Sequence, residues 1–388
     1  EAGMKSLMRV VPLFETLEDL QNAEATLKCL LDIDWYREHI QGQQEIMIGY
    51  SDSAKDAGFL AAAWVQYQAQ EQLTRLCKQY GVQLTLFHGR GGSTSRGGAP
   101  SHEAILSQPP GAVNGRIRIT EQGEVIRAKF TPFGVAIRTL QRYVAATLEA
   151  TLIDRPQPDE QWRNMMTSLS ENGTQSYRDM LRGDPRFLSY FHHATPEQEL
   201  QRLPLGSRPA KRRQSGGIET LRAIPWVFAW TQMRLMLPGW LGADVAFQKA
   251  LQQGKGDLLH EMYERWPFFR MVMGMLEMVL AKSDAQIAAY YERRLAQPED
   301  RSLGQELQSR LAEMIDLVKN ITDHSVLLQN NSVIRRSIEV RNPYLDPLHM
   351  LQVELMRSAR LKQQETPDET RALMITVAGI AAGMRNTG

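Results

Sequence analysis

Leu84-Thr85-Leu86-Phe87-His88-Gly89-Arg90-Gly91-Gly92-Ser93-Thr94-Ser95-Arg96-Gly97-Gly98 joins an apolar run of strand character to a loop of five glycines, two arginines and a histidine. Parallel β/α barrels and doubly wound sheets both gather ligands at strand ends, and the sequence order leaves the two architectures open. Glycine permits positive φ and a close approach of backbone to ligand, and consecutive amides can form an anion-binding concavity. Arg90 and Arg96 add guanidinium forks suited to carboxylate or phosphate. His88 adds a group that exchanges a proton near neutral pH. The stretch describes a site for a small phosphorylated or carboxylated anion; a basic surface loop is the alternative.

Outward from this stretch, strand-like and helix-like segments alternate. Residues 8–14 read as a buried strand, and a helix starts at Thr16 with Leu17, Leu20, Ala23, Leu27 and Leu30 on its apolar face. Residues 45–50 are a second strand. Ser53 and Asp56 have capping-box spacing, and a helix is predicted over 54–80, stopped by Gly81. Residues 83–87 form the third strand, 116–120 a fourth, and 221–229 contain a possible fifth. Repeated strand–helix units imply a parallel sheet covered by helices. From Thr195 the pattern turns mainly helical, with long amphipathic helices over 268–296 and 307–328. The expected class is α/β, predominantly helical.

Polar residues fall where these strands end. Glu15 follows the first, Asp52 the second, His88 and Arg90 the third, and Glu121 and Gln122 the fourth, while Arg222 lies beside the last candidate. Two carboxylates with water and substrate oxygens suit Mg²⁺ or Mn²⁺ better than zinc, which makes Glu15 and Asp52 the candidate metal ligands. Asp52 also precedes a helix and could serve as its N-cap. Lys55 could meet an anion or be solvated, and Arg222 could pair with Glu219 one helical turn earlier.

The chain carries 43% hydrophobic and 23% charged residues, the usage of an ordinary globular protein. Its net charge of +1 gives no overall drive toward nucleic acid or an anionic membrane. The six residues 208–213 carry four positive charges without interleaved aromatics, and a solvated mobile loop accounts for them better than nucleic-acid binding. Cys29 and Cys77, both in apolar helix-like contexts, are expected to be reduced and buried, which points to the cytoplasm. Apolar runs such as 375–382 are too short to span a bilayer. No signal peptide is expected, and a start without methionine is expected to be processed or truncated. His192-His193 lacks further ligand spacing.

The motif FHGRGGSTSRGGAP resembles the glycine-rich catalytic loop of the phosphoenolpyruvate carboxylase family. GYSDSAKDAG (49–58), RITEQGE (118–124), GSRPAKRR (206–213), LRAIPWVFAWTQ (221–232) and the terminal MRNTG (384–388) are similar to other segments of that family, in the same order. The resemblance covers essentially the whole chain but only the C-terminal part of the family's length. It implies the later strands of a TIM-type β/α barrel with extensive additional helices. Residues 1–240 would hold the barrel part and catalytic loops, and residues 241–388 a C-terminal helical region.

The resemblance also implies roles. Glu15 and Asp52 match the family's divalent-metal ligands. Arg90 and Arg222 match residues that bind substrate phosphate, with Lys55 nearby, and His88 matches a histidine of the carboxylation step. Arg96, Lys282, Arg341 and Asn386 match a site for dicarboxylate inhibitors such as aspartate or malate, although nothing in their spacing unites them. The implied activity is that of a carbon–carbon lyase. It joins phosphoenolpyruvate and bicarbonate into oxaloacetate with Mg²⁺ or Mn²⁺ and without biotin, in a cytoplasmic homotetramer when complete. The competing expectation is a catalytically silent C-terminal fragment that binds effectors or pairs with a missing N-terminal half.

Overall fold

In the computed structural model, which describes residues 8–89, 101–121, 123–200, 221–362 and 366–385, the strands pair in parallel in chain order. β1 (Leu13–Phe14) lies beside β2 (Gln43–Gly49), β2 beside β3 (Gln83–Gly89), and β3 beside β4 (Arg118–Ile119). The register sets Phe14 against Ile48, Gly49 against Gly89 and His88 against Ile119, so the C-terminal ends of the strands are level. Parallel neighbours need crossovers. These are α1 (Leu17–Gln21), α2 (Ala23–Leu31) and α3 (Asp34–Ile40), then α4 (Ser51–Ala57) and α5 (Phe59–Gln79), then α6 (Ser101–Leu106). Ile46, Ile48 and Leu86 of the sheet bury themselves against Leu20, Leu27 and Leu31 on one side of the chain's first crossover and Leu73 and Leu76 of α5.

α7 (Gly123–Phe130) and α8 (Phe133–Leu152) follow β4, and the rest of the described chain is helical. α9 (Glu160–Arg178), α10 (Arg186–Ala194), α11 (Glu197–Leu200) and α12 (Ala223–Gln232) lead to α13 (Ala243–Gln252), α14 (Gly256–Arg265) and α15 (Pro267–Lys282). α16 (Ala285–Leu295), α17 (Arg301–Thr322), α18 (Ser332–Lys362) and α19 (Pro367–Met384) complete it. One apolar core runs from Leu60 to Met384 through these helices. Aromatic contacts stiffen it: Tyr67 meets Phe268 at 4.5 Å between ring centres, and Phe191 meets both Trp226 and Trp230. Trp226, Trp230 and Trp240 are fully buried, as core residues are. Among the described residues no helix is long and apolar enough to cross a membrane.

The structure corrects several expectations. The helix expected over 54–80 is two helices, because Gly58 takes φ +83° between α4 and α5. Ser53 lies inside α4, buried, and accepts from Gln66 Nε2 at 3.1 Å instead of starting a helix. A capping box does form, at Thr16 with Asp19, and it fixes the start of α1. The strand expected over 8–14 is confined to Leu13–Phe14, with Met8 and Val10 exposed. Residues 221–229 form no long strand; from Ala223 they are helix α12, buried on all sides. An apolar run buried all round has no face to reveal its period. The helix expected over 268–296 is divided at Asp284, whose side chain accepts from the amides of Gln286 and Ile287 and so starts α16. α17 spans Arg301–Thr322 and stops where Asp323 turns left-handed. Cys77 is buried, but Cys29 is exposed, and both are free thiols.

Candidate active site at the strand ends

Glu15 directly follows β1 and leans over the end of β2. A Cβ at Gly49 would stand 2.5 Å from Glu15 Cγ and 2.6 Å from its Cβ, so only glycine leaves room for this carboxylate. Gly49→Ala is therefore expected to displace Glu15 and to destabilise the protein by about 1–3 kcal/mol, the usual cost of overpacking. A denaturant midpoint lowered at constant slope is the check, and an unchanged midpoint would mean that Glu15 moves without cost.

Asp52 occupies the first turn of α4, half-buried, in the loop that opens from β2. The N-cap position belongs to Tyr50 and carries no side-chain cap bond, so Asp52 is not the cap. Gln66 ties the strand end to this helix: its Nε2 donates to the Gly49 carbonyl at 3.2 Å and to Ser53 Oγ at 3.1 Å. Lys55 sits on the same short helix, half-buried, with its backbone carbonyl accepting from the Tyr177 hydroxyl at 3.0 Å. Its neighbour Asp56 is held by Arg178 and Arg182 and belongs to the scaffold.

His88, at the end of β3, is only 1% exposed, and its Nδ1 lies 2.8 Å from the Tyr50 hydroxyl. Tyr50 is a residue that sequence reading passed over. The signal was available in the register, since pairing Gly49 with Gly89 brings the residue after β2 to the end of β3. At the end of β4, Glu121 accepts from Lys129 Nζ at 2.5 Å and the Tyr143 hydroxyl at 2.6 Å, which makes it a structural carboxylate. Arg222 is half-buried at the N-cap of α12, a helix that packs against α4. Arg90, Arg96, Gln122, Glu219 and the basic segment 208–213 lie outside the described residues.

Among the described residues no group of three or more His, Cys, Asp or Glu side chains converges as a ready ligand set. An ion at this edge would rest on Glu15 and Asp52, with water or substrate oxygens filling the other positions. That is how Mg²⁺ is commonly held, through one or two carboxylates plus substrate phosphate. The hard oxygen donors fit Mg²⁺ or Mn²⁺.

A second group of candidates converges elsewhere. Lys282 ends α15 and is 5% exposed. Arg341, on α18, donates from Nε to the Ser337 carbonyl at 2.6 Å and from Nη1 to the Gly383 carbonyl of α19. Arg234 is fully buried with left-handed backbone (φ +62°) and donates from Nε to the Lys282 carbonyl at 2.8 Å and from Nη2 to Asn342 at 3.2 Å. Burial, then Arg341, Arg385 and Arg234, push the Lys282 ammonium down to about 8. Lys282 and Arg234 are buried, Arg341 is half-buried and Arg385 exposed, with Asp284 and Asp346 near Arg234; the excess of cations is one that an added anion would relieve. The fold thus brings Lys282 and Arg341 together and adds Arg234 and Arg385, which sequence reading did not single out; Asn386 lies outside the described residues. His192 and His193 face different carboxylates, Glu197 and Asp300, each at 2.9 Å, and share no site.

The family model described as phosphoenolpyruvate carboxylase matches residues 1–388. Proteins of that name from Marinomonas sp. (strain MWYL1) and Shewanella oneidensis are each 56% identical to this chain, and one from Ectopseudomonas mendocina is 58% identical. Each alignment covers 100% of this chain and 44% of the relative. The chain spans less than half the length of the curated relatives it matches.

Proposed function

The chain belongs to the phosphoenolpyruvate carboxylase family, and from that premise we propose that it serves the carboxylation of phosphoenolpyruvate by bicarbonate to oxaloacetate and phosphate. The observation that carries the reading is the level edge of the parallel sheet, where Glu15, Asp52 and His88 stand at successive strand ends. We take these strands as the later part of a β/α barrel within residues 1–240, with residues 241–388 as a helical region bearing the inhibitor site. The remaining assignments are a cytoplasmic location and a homotetrameric complete enzyme that needs no biotin.

Glu15 and Asp52 would hold Mg²⁺ or Mn²⁺, which when bound neutralises charge on phosphoryl and enolate oxygens. Arg90, Arg222 and Lys55 hold the substrate's phosphate and carboxylate. A bicarbonate oxygen attacks phosphorus and the bond to the enol oxygen breaks, giving carboxyphosphate and the enolate of pyruvate. Carboxyphosphate parts into phosphate and CO₂, and the enolate carbon captures CO₂ to form oxaloacetate. The fixed cations stabilise the charge that develops, without reorganising. His88 assists proton removal in the carboxylating step, with Tyr50 fixing the orientation of its ring.

The test is oxaloacetate formation from phosphoenolpyruvate that requires both bicarbonate and a divalent ion. Within it, Arg222→Ala is expected to lower kcat/KM by about 10–100-fold, since a charge-assisted hydrogen bond contributes about 1.5–3 kcal/mol. Unchanged kinetics would reduce Arg222 to a structural residue. Lys282 and Arg341, with Asn386 and Arg96, form the site for aspartate or malate. Arg96 belongs also to the glycine loop, so an inhibitor that holds it competes with the active site for one element.

A second reading is that the chain binds effectors or pairs with another part of a longer polypeptide without itself catalysing. Phe133, Leu140, Val144, Leu148 and Leu152 are exposed along α8, an apolar stripe of the kind that another protein surface covers. A purified chain that binds malate yet forms no oxaloacetate, and gains activity on addition of the remaining polypeptide, would favour this reading.

A further inference from the structure

We propose that the cleft walled by α10, α11, α16 and the C-terminal end of α18 is a separate anion site, and that it takes a multiply phosphorylated small molecule. The cavity measures about 770 Å³, within the range of small-molecule sites and well beyond what a lone inorganic anion fills. It shares no residue with the strand-end site or with the Lys282 cluster.

Its lining is cationic. Arg294, Arg301, Arg357 and Arg360 border it, and Glu199 is the carboxylate among them. These arginines are not equivalent. Arg360 is spent on the scaffold, bidentate to buried Glu199 at 2.8 and 2.9 Å and donating to the carbonyls of His193 and Thr195. Arg294 uses Nε and Nη2 on Glu354, at 2.7 and 2.8 Å. Arg357 reaches the same carboxylate only at 3.4 Å through Nη1, and Arg301 makes no hydrogen bond or ion pair among the described residues. Of the four guanidiniums, two are held by Glu199 and Glu354, while Asp300 is turned to His193, and the two least engaged arginines come from different helices, α17 and α18.

The chemistry of the ligand follows from these features. Arg360 is saturated by Glu199 and two backbone carbonyls, whereas Arg301 and Arg357 have exposed donors left over for an anion. Planar guanidinium forks match phosphate oxygens. Two of them on separate elements suit an anion with more than one charged group. Leu295, Pro298 and Leu361 supply apolar wall for an organic body between the charges.

Inorganic tripolyphosphate in metal-free buffer is the probe, titrated calorimetrically into the purified protein. Saturable binding is expected, weakened at least about tenfold in an Arg301→Ala/Arg357→Ala double variant by the loss of two charge-assisted contacts, and retained in Lys282→Ala and in Arg222→Ala. Arg301 is exposed and its side chain has no hydrogen-bond or ion-pair partner among the described residues, so Arg301→Gln alone gives a second variant whose fold is secure, and it should weaken binding in the same direction. No saturable binding to the wild-type protein, unchanged affinity in the arginine variants, or loss of binding in Lys282→Ala or Arg222→Ala would each overturn the proposal. The last two would place the probe in one of the other sites, so the cleft can fail while the carboxylase reading stands.

Discussion

On the proposed function, Asp52→Asn in the complete polypeptide is expected to lower divalent-ion-dependent turnover by about 10²–10³-fold while the protein stays folded, the scale on which a preorganised electrostatic contact acts. The substitution preserves shape and removes only charge and oxygen basicity. Asp52 makes no cap bond whose loss would unravel α4. It does stand in the first turn, where a carboxylate complements the helix dipole by about 0.3–1 kcal/mol, so the stability change should stay small. Glu15 alone would leave a Mg²⁺ or Mn²⁺ ion with a single protein carboxylate. The measurement is oxaloacetate formation across a Mn²⁺ titration, with ion binding followed separately by Mn²⁺ paramagnetic resonance. Asp56→Asn is the control, because Asp56 is tied to Arg178 and Arg182 at 3.0 Å and should affect stability without changing the ion titration. A normal Mn²⁺ titration in Asp52→Asn would remove this residue from the ligand set.

The contrast between Asp52 and Asp56 shows what the sequence could and could not reveal. Both carboxylates stand in one SDSAKD segment, and spacing alone made Asp56 half of a capping box. Its real partners, Arg178 and Arg182, lie more than a hundred residues away. Strand ends were legible to within two residues because apolar runs stop there: readings of 14, 50 and 87 stand against observed ends at Phe14, Gly49 and Gly89. Helix breaks were less so, because the break at Gly58 depends on a backbone angle, and the one at Asp284 on a cap inside an otherwise apolar-periodic stretch. α12 was misread because every side of it is buried. The Lys282 cluster was beyond spacing altogether: it forms where the ends of α15 and α19 meet α18, and Arg234, which joins two of these, sits in no motif of its own. Only family resemblance placed Lys282 and Arg341 together; the fold brings the two side chains near each other.

On the proposed inhibitor site, inhibition of the complete polypeptide by malate is expected to weaken as pH rises through about 8, the value to which burial and neighbouring cations lower the Lys282 ammonium. Arginine side chains keep their charge throughout this range, so Lys282 is the group of the cluster that titrates. Below about 8 it is protonated and adds its charge to the site; above, it is neutral. A bound dicarboxylate favours the protonated form, so affinity should be level below the free-protein value and fall about tenfold per pH unit above it until the bound form also loses its proton. Malate is the better probe than aspartate because it has no ammonium of its own. The sign for stability is opposite. The unfolded chain keeps an ordinary lysine near 10.5, so between about 8 and 10.5 it binds more protons than the folded protein, and the unliganded fold should gain stability with rising pH. Malate should therefore raise Tm more at pH 7 than at pH 9, a readout independent of turnover. Lys282→Ala should relieve inhibition and flatten its pH profile while preserving turnover at saturating substrate, whereas Arg96→Ala, in the glycine loop, should impair both properties. If Lys282→Ala kept the wild-type slope, the titrating group would lie elsewhere. If it lost turnover with the fold retained, Lys282 would belong with the strand-end residues, and the site for the dicarboxylate would have to be sought among the other cations.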